Sequence, residues 1–169
     1  MTTPPINRVL GIDPGLNVTG YAVLETSRQG PVICEAGIVR STAKRPLENR
    51  LAEIHEGIRD VIASHHPVSM AVEELYSHYE RPRTAILMGH ARGVICLAAS
   101  QAGIPVRHYA ATQIKRLLTG SGRAGKAQVQ RAICREFALN EPPEPPDVAD
   151  AVAVALCHLH FSKMPASLL

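Results

Sequence analysis

Four carboxylates stand where an acidic side chain is unusual. Asp13 and Glu73 each end a short aliphatic run of the kind that forms a β-strand. Asp147 and Asp150 lie three residues apart at the start of a mostly apolar helical segment. Residues at that spacing project from one face of a helix, so these two aspartates are expected to point the same way.

Carboxylates that are gathered in apolar surroundings are unfavourable unless a cation neutralises them. Hard oxygen ligands suit Mg²⁺ or Mn²⁺ better than zinc. Two such ions, about 4 Å apart, can activate a water molecule and stabilise the leaving oxygen in phosphodiester hydrolysis. The pattern therefore predicts a divalent-metal-dependent nuclease with Asp13, Glu73, Asp147 and Asp150 as metal ligands and catalytic residues.

Each acid taken alone also has an ordinary structural explanation. Asp13 precedes Pro14-Gly15 and could open a turn. Asp147 could be the N-cap of the last helix, and Asp150 a first-turn residue that complements the helix dipole. Glu73 could be a charge at a strand end. Only the joint pattern favours a catalytic centre.

The elements that must position these acids follow from the hydrophobic periodicity. Three strands with short connections begin the chain and predict an antiparallel meander, after which helices alternate with strands. The result is one α/β domain over residues 1–169, with a mixed five-stranded sheet flanked by helices. Strands are predicted at 8–13, 18–24, 32–39, 70–73 and 106–109, and helices at 47–64, 84–102, 111–118, 126–137 and 148–161.

Charge is strongly segregated along the chain. The net charge is +3, yet residues 81–135 contain ten Lys or Arg and no Asp or Glu. Solubility alone is usually served by interspersed signs, so this segment predicts a surface for a polyanion such as DNA.

The remaining composition predicts a cytoplasmic protein. No apolar run is long enough to cross a membrane, and the first residues lack the pattern of a signal peptide. The four cysteines are widely spaced with no C-x-x-C pair, which favours reduced thiols over a zinc site.

Several motifs together resemble those of the RuvC-type Holliday-junction resolvases, within the ribonuclease-H-like nuclease superfamily. Any one of them is weak, but they follow in order along nearly the whole chain. The matching stretches are Gly11-Ile-Asp-Pro-Gly15 with Thr19-Gly-Tyr21, Ala71-Val-Glu73, Gly89-His-Ala-Arg-Gly93, Gly120-Ser-Gly122 with Lys126-Ala-Gln-Val129, and Asp147-Val-Ala-Asp-Ala151.

The resemblance implies a ribonuclease-H-like fold and a homodimer that makes two symmetric nicks across a four-way DNA junction, leaving 5′-phosphate and 3′-hydroxyl ends. It implies two Mg²⁺ or Mn²⁺ ions per active site, held by the four acids, and a branch-migration complex as a further partner. Whether Asp147 or Asp150 holds the ion that activates water stays open.

The resemblance also implies residues that contact DNA. Lys115 and Lys126 fall where the family places backbone-contacting lysines, and Tyr76 falls where relatives carry an aromatic, often Phe, that stacks on a base. His90 replaces the Gln that is common in relatives. The predicted DNA-binding residues are Tyr76, Arg81, Arg83, Lys115, Arg123 and Lys126.

The helix at 84–102 corresponds to the family's dimer helix, although its apolar face could also be buried within one chain. The histidines at 65, 66, 158 and 160 are predicted to be structural or exposed rather than metal ligands.

Other functions remain open. A relative could cut other branched or hybrid nucleic acids, or the chain could bind junctions without cutting them. Sugar-kinase and actin-like phosphotransferases also place Gly-Ile-Asp-x-Gly on a first hairpin, but they need two such domains and 169 residues supply one.

Overall fold

Five strands form a single mixed sheet in the computed structural model, which describes residues 7–75 and 81–162. The sheet order is β3-β2-β1-β4-β5, in which β1, β2 and β3 pair antiparallel and β1, β4 and β5 pair parallel. The predicted meander and the mixed sheet are both confirmed. The strands are β1 (Arg8–Asp13), β2 (Val18–Ser27), β3 (Gly30–Arg40), β4 (Ser69–Glu73) and β5 (Val106–Tyr109).

Five helices cover the sheet within the described part of the chain, in the predicted order. Two of them begin at a proline that the sequence analysis placed outside the helix. Proline is favoured at the first helical position because the amide there needs no intrahelical partner. The helices are α1 (Leu47–His65), α2 (Pro82–Gln101), α3 (Ala111–Thr119), α4 (Lys126–Glu136) and α5 (Pro146–Ser162).

The early start of α5 corrects one prediction. Asp147 is not the N-cap of the helix, because the helix begins at Pro146 and Asp147 lies within its first turn. A carboxylate there still benefits from the positive end of the helix dipole. Its side chain therefore remains available for other partners.

The two faces of the sheet carry separate cores. Helices α1 and α2 pack on one face, where Ile54, Ile58 and Ile95 bury against Leu10 and Ile12. Helix α5 crosses the other face and is buried along almost its whole length. Because α5 is enclosed by apolar neighbours, its polar first turn is held at a defined place over the sheet.

Two glycines let α5 approach the sheet closely. A Cβ atom on Gly11 of β1 would lie 2.4 Å from the carbonyl oxygen of Ala151, and one on Gly20 of β2 would lie 2.0 Å from that of Asp147. Neither distance is possible for a real side chain, so glycine is required at both positions. None of the helices in the described residues is long and apolar enough to span a membrane.

Candidate active site

Asp13 and Glu73 lie side by side at one edge of the sheet. Strands β1 and β4 are parallel neighbours, and their register pairs Ile12 with Val72. Each acid comes directly after the last residue that β1 and β4 pair with each other, so both side chains emerge where the carboxyl ends of these two strands meet. The sequence predicted both acids at strand ends, and the parallel pairing brings the two ends together.

The first turn of α5 lies over the same edge. Gly20 is the residue of β2 that pairs with Asp13, and it is also where β2 comes within contact of Asp147. This contact anchors Asp147 beside Asp13. Asp150 follows almost one helical turn later on the same face, as the spacing predicted.

The pKa of Asp13 is affected by its burial and by the three neighbouring acids. Burial, and then the neighbouring carboxylates of Glu73, Asp150 and Asp147, raise the pKa of Asp13 from 3.8 to about 8, against a smaller opposing effect of Lys126. The pKa of Glu73 is also raised, first by burial and then by Asp150. Burial and the neighbouring carboxylates together therefore disfavour the ionised form of both acids, and the nearby basic groups only partly offset this.

The donor set fits a divalent cation. Four carboxylates supply hard oxygen ligands, and the raised pKa of Asp13 marks negative charge that its surroundings do not neutralise. As they stand, no three Asp, Glu, His or Cys side chains in residues 7–75 and 81–162 are grouped tightly enough to enclose an ion.

Two lysines face the acids across a cleft of about 250 Å³. The Nζ atom of Lys126, at the start of α4, lies 3.2 Å from Oδ2 of Asp150. Lys115 of α3 lines the same cleft and lowers the pKa of Glu73. Ala111, Ile114, Val129 and Ala153 complete the lining. The cleft therefore sets an acidic wall against a basic one, as a phosphodiester with its metal ions would require.

Three of the other predicted DNA-binding residues lie outside this cleft. Arg81, Arg83 and Arg123 are exposed, and the lining of this cleft does not include them. Tyr76 lies outside the described residues, so its stacking role stays a prediction.

Three of the four histidines have structural contacts in the fold. His66 adopts a left-handed conformation as the C-cap of α1, and His65 lies 2.9 Å from Glu35. His158 is buried, with Nε2 at 2.9 Å from the Ser69 hydroxyl and Nδ1 at 2.7 Å from the Tyr109 hydroxyl. This network joins α5 to β4 and β5.

The turn after Asp13 is fastened by side chains that the sequence analysis did not single out. The Thr19 hydroxyl donates to the carbonyl of Gly15 at 2.8 Å and accepts from its amide at 3.3 Å. Ser41 and Arg50 both donate to the carbonyl of Leu16. These bonds fix the exit of β1 and thereby the carboxylate of Asp13.

Arg92 is a further residue at the site to which the sequence analysis gave no role. Its Nη1 donates to the main-chain carbonyl of Glu73, and its Nη2 lies 2.7 Å from Nδ1 of His108. The contact depends on the packing of α2 against β4 and β5, which no local pattern reveals.

The chain is similar to known proteins in sequence and in fold. The profile of the family described as "Crossover junction endodeoxyribonuclease RuvC" matches residues 9–158. A crossover junction endodeoxyribonuclease RuvC of Rhodopirellula baltica is 55% identical over 159 residues, which cover 93% of this chain and 88% of that protein. The structure of Thermus thermophilus RuvC in complex with Holliday junction substrate superposes with a TM-score of 0.87 at 32% identity, covering 94% and 96% of the two chains. The yeast mitochondrial Holliday junction resolvase Ydc2, at 12% identity and a TM-score of 0.66, shares the fold.

Proposed function

The chain belongs to the RuvC family of crossover junction endodeoxyribonucleases, and on that premise we propose that Asp13, Glu73, Asp147 and Asp150 form its catalytic centre. The chain is an endodeoxyribonuclease with a ribonuclease-H-like fold that resolves four-way DNA junctions. In the proposal, it does so by paired, symmetric nicks that leave 5′-phosphate and 3′-hydroxyl ends. The observation that carries the assignment is geometric: the parallel register of β1 and β4 sets Asp13 beside Glu73, and the contact of Gly20 with Asp147 brings the first turn of α5 to the same place.

The four acids would hold two Mg²⁺ or Mn²⁺ ions. Such ions supply an activated water molecule and a Lewis acid for the leaving oxygen. Asp13 lies centrally in this set, since its charge interacts with each of the other three carboxylates. The apolar lining from Ile114 and Val129 limits water around the reacting phosphate and strengthens each charge there.

Lys115 and Lys126 would bind the scissile phosphate. Lys126 pairs with Asp150 at 3.2 Å, so its ammonium group lies at the cleft directly beside the acids that would hold the ions. An ammonium group in this cleft stabilises the charge that grows on the phosphate during cleavage. The exposed Arg81, Arg83 and Arg123 would contact the arms of the junction, away from the cleft.

We also assign a homodimer interface to α2. Its buried residues Ala91, Ile95 and Ala98 face the core, while Ile86 is 63% exposed and Leu97 49% exposed. Ile86 and Leu97 fall three helical turns apart on the same side of the helix. Gly89 and Gly93 lie between them with open space above, so a second helix could approach closely. The occupant that fits this face is a second copy of the chain, which supplies the second nick.

The dimer can be tested with a matched pair of variants. Leu97→Glu should convert the protein to a monomer in light scattering after size exclusion and should lose paired nicking, because a charge cannot be buried in the interface. Val32→Glu serves as the control, since Val32 is similarly exposed at 46% and lies on β3, at the edge of the sheet opposite β5. A Leu97→Glu protein that stays dimeric would place the interface elsewhere.

The substrate assignment is tested by comparing labelled DNA substrates. In Mg²⁺, the protein should nick a synthetic four-way junction at symmetric positions and leave duplex, flap and RNA–DNA hybrid largely intact. Equal cleavage of flaps or hybrids would indicate a broader nuclease of the same superfamily. Tight binding without nicks would indicate a junction-binding module.

We also propose that the protein acts in the cytoplasm together with a branch-migration complex. This partnership is tested by asking whether the protein and the branch-migration complex co-purify on junction DNA.

A further inference from the structure

We propose that Arg92 is a positioning residue for the catalytic centre, because it supplies to the main-chain carbonyl of Glu73 the hydrogen bond that Pro14 cannot donate. The inference deepens the proposed function and rests on it, since the role of Arg92 is to hold one of the four acids in place. The observation that supports it is the register of β4 against its two neighbouring strands, β1 and β5.

The main-chain groups of β4 alternate between the two neighbours. The amide of Met70 donates to the carbonyl of Pro105 at 2.9 Å, and the amide of Glu74 donates to that of Tyr109 at 2.9 Å. Residues at these alternate positions therefore face β5. Because neighbouring residues of a strand direct their main-chain groups to opposite sides, those of Glu73 face β1.

The β1 strand offers no donor at that point. The parallel register pairs Ile12 with Val72, and its continuation sets Asp13 beside Glu73. In a parallel ladder, a carbonyl accepts from the amide one residue beyond its partner, which here belongs to residue 14. Pro14 has no amide hydrogen, so the ladder stops and the Glu73 carbonyl lacks its strand partner. A carbonyl left unpaired in a half-buried site is unfavourable and leaves its peptide free to rotate.

The guanidinium of Arg92 fills this gap from the α2 side of the sheet. One nitrogen donates to the Glu73 carbonyl and another contacts Nδ1 of His108, the residue of β5 opposite Val72. A guanidinium only donates, so Nδ1 of His108 must be the acceptor. Two fixed partners hold the guanidinium plane, and the Glu73 peptide is thereby tied to both α2 and β5.

The carboxylate of Glu73 is carried on the same residue as that carbonyl. If the peptide turns, the side chain moves relative to Asp13, and the ligands of the metal site lose their alignment. Residues that orient metal ligands typically change metal affinity by about 10- to 100-fold when removed. The charge of Arg92 also lowers the pKa of Glu73, so geometry and charge must be separated by experiment.

The first experiment measures Mn²⁺ binding by calorimetry on the full chain without DNA. Arg92→Ala should weaken Mn²⁺ binding by roughly 10-fold. Arg92→Lys keeps the charge but cannot bridge two partners, so its affinity should fall between those of the wild type and Arg92→Ala. Arg59→Ala, which removes an exposed arginine from α1, is the control and should bind as the wild type does. Equal affinities for Arg92→Lys and the wild type would mean that charge alone matters and would overturn the proposal.

The second experiment restores the missing donor. Pro14→Ala returns an amide to position 14, so the double variant Pro14→Ala/Arg92→Ala should recover much of the Mn²⁺ affinity that Arg92→Ala loses. Amide hydrogen exchange at Glu74 should follow the same order, fast in Arg92→Ala and slow again in the double variant. If the double variant binds Mn²⁺ no better than Arg92→Ala, the role assigned to Pro14 is wrong.

The two proposals fail in different ways. If Arg92→Ala does not fold, Arg92→Lys and the double variant still decide the matter, because both keep a donor near the carbonyl. A wild-type protein that binds Mn²⁺ with this pattern of variants yet cuts no junction would refute the proposed function and leave the role of Arg92 intact.

Discussion

Replacing Asp13 by Asn should stabilise the metal-free protein while abolishing cleavage. The carboxylate of Asp13 is buried beside three other acids, and its pKa is about 8 in the folded chain against 3.8 ordinarily. An amide of the same shape carries no charge. The variant therefore removes a repulsion that the metal-free fold must tolerate, and it removes a ligand that the active site needs.

The magnitude follows from proton linkage. Between pH 3.8 and about 8, the unfolded chain has lost the Asp13 proton and the folded chain still holds it. The free energy of unfolding of the metal-free wild type then falls as pH rises, by roughly 1.4 kcal/mol per pH unit, whereas Asp13→Asn lacks this contribution. The whole window, from pH 3.8 to about 8, gives an upper bound of about 6 kcal/mol. Since water and side chains relax around the charge, we expect a gain of about 2 to 4 kcal/mol for the variant at pH 8.

Urea unfolding in the presence of a chelator, at pH 5, 6, 7 and 8, measures this difference. The stability of Asp13→Asn relative to the wild type should grow steadily with pH. Asp60→Asn, an exposed site on α1, is the control and should show no such growth. Added Mg²⁺ should stabilise the wild type and have little effect on Asp13→Asn. A stability difference that does not change with pH would refute the reasoning, because Asp13 would then ionise normally.

Three further predictions concern the surroundings of the acids. Gly20→Ala should destabilise the protein by about 1 to 3 kcal/mol in thermal unfolding, because its Cβ atom would overlap the Asp147 carbonyl; Gly125→Ala, which meets only a side-chain atom at 4.0 Å, should have a far smaller effect. Lys126→Ala should weaken junction binding in Ca²⁺ and lower the salt slope of log Kd by roughly one, as expected for one lost phosphate contact; an unchanged slope would remove Lys126 from the phosphate. His158→Ala should destabilise by about 2 to 4 kcal/mol in urea, because the hydroxyls of Ser69 and Tyr109 lose their shared partner; a neutral outcome would mean that water replaces the imidazole.

Much of the fold was predictable because the strands and helices follow from the local periodicity of apolar residues. Each strand and helix has its own alternation or 3.6-residue pattern, and the chain order then limits the topology to few choices. The starts of α2 and α5 were less accurate, because each helix begins at a proline that lies before the predicted helical segment. The apolar face that was predicted for α2 is buried or half-buried within the chain. The exposed apolar residues Ile86 and Leu97, on the same side of α2, were not predicted.

The acids of the site were predictable for a different reason. A carboxylate at the end of an aliphatic run is conspicuous in a single sequence, so Asp13 and Glu73 could be recognised without a structure. Arg92 could not, because its partner is a main-chain carbonyl and the need for it arises from the register of β1 against β4. The Gly20 contact is equally hidden, since it depends on how α5 lies over β2.

The central claim is that this centre cuts DNA junctions in coordinated pairs. The most direct measurement uses a supercoiled plasmid that extrudes a cruciform, incubated with the protein in Mg²⁺ and followed by gel electrophoresis. Paired nicks made within one bound complex should yield linear plasmid with ends that DNA ligase seals, and Asp13→Asn should yield neither linear nor nicked product. Accumulation of nicked circles as the main product, or linear product from Asp13→Asn, would contradict the account.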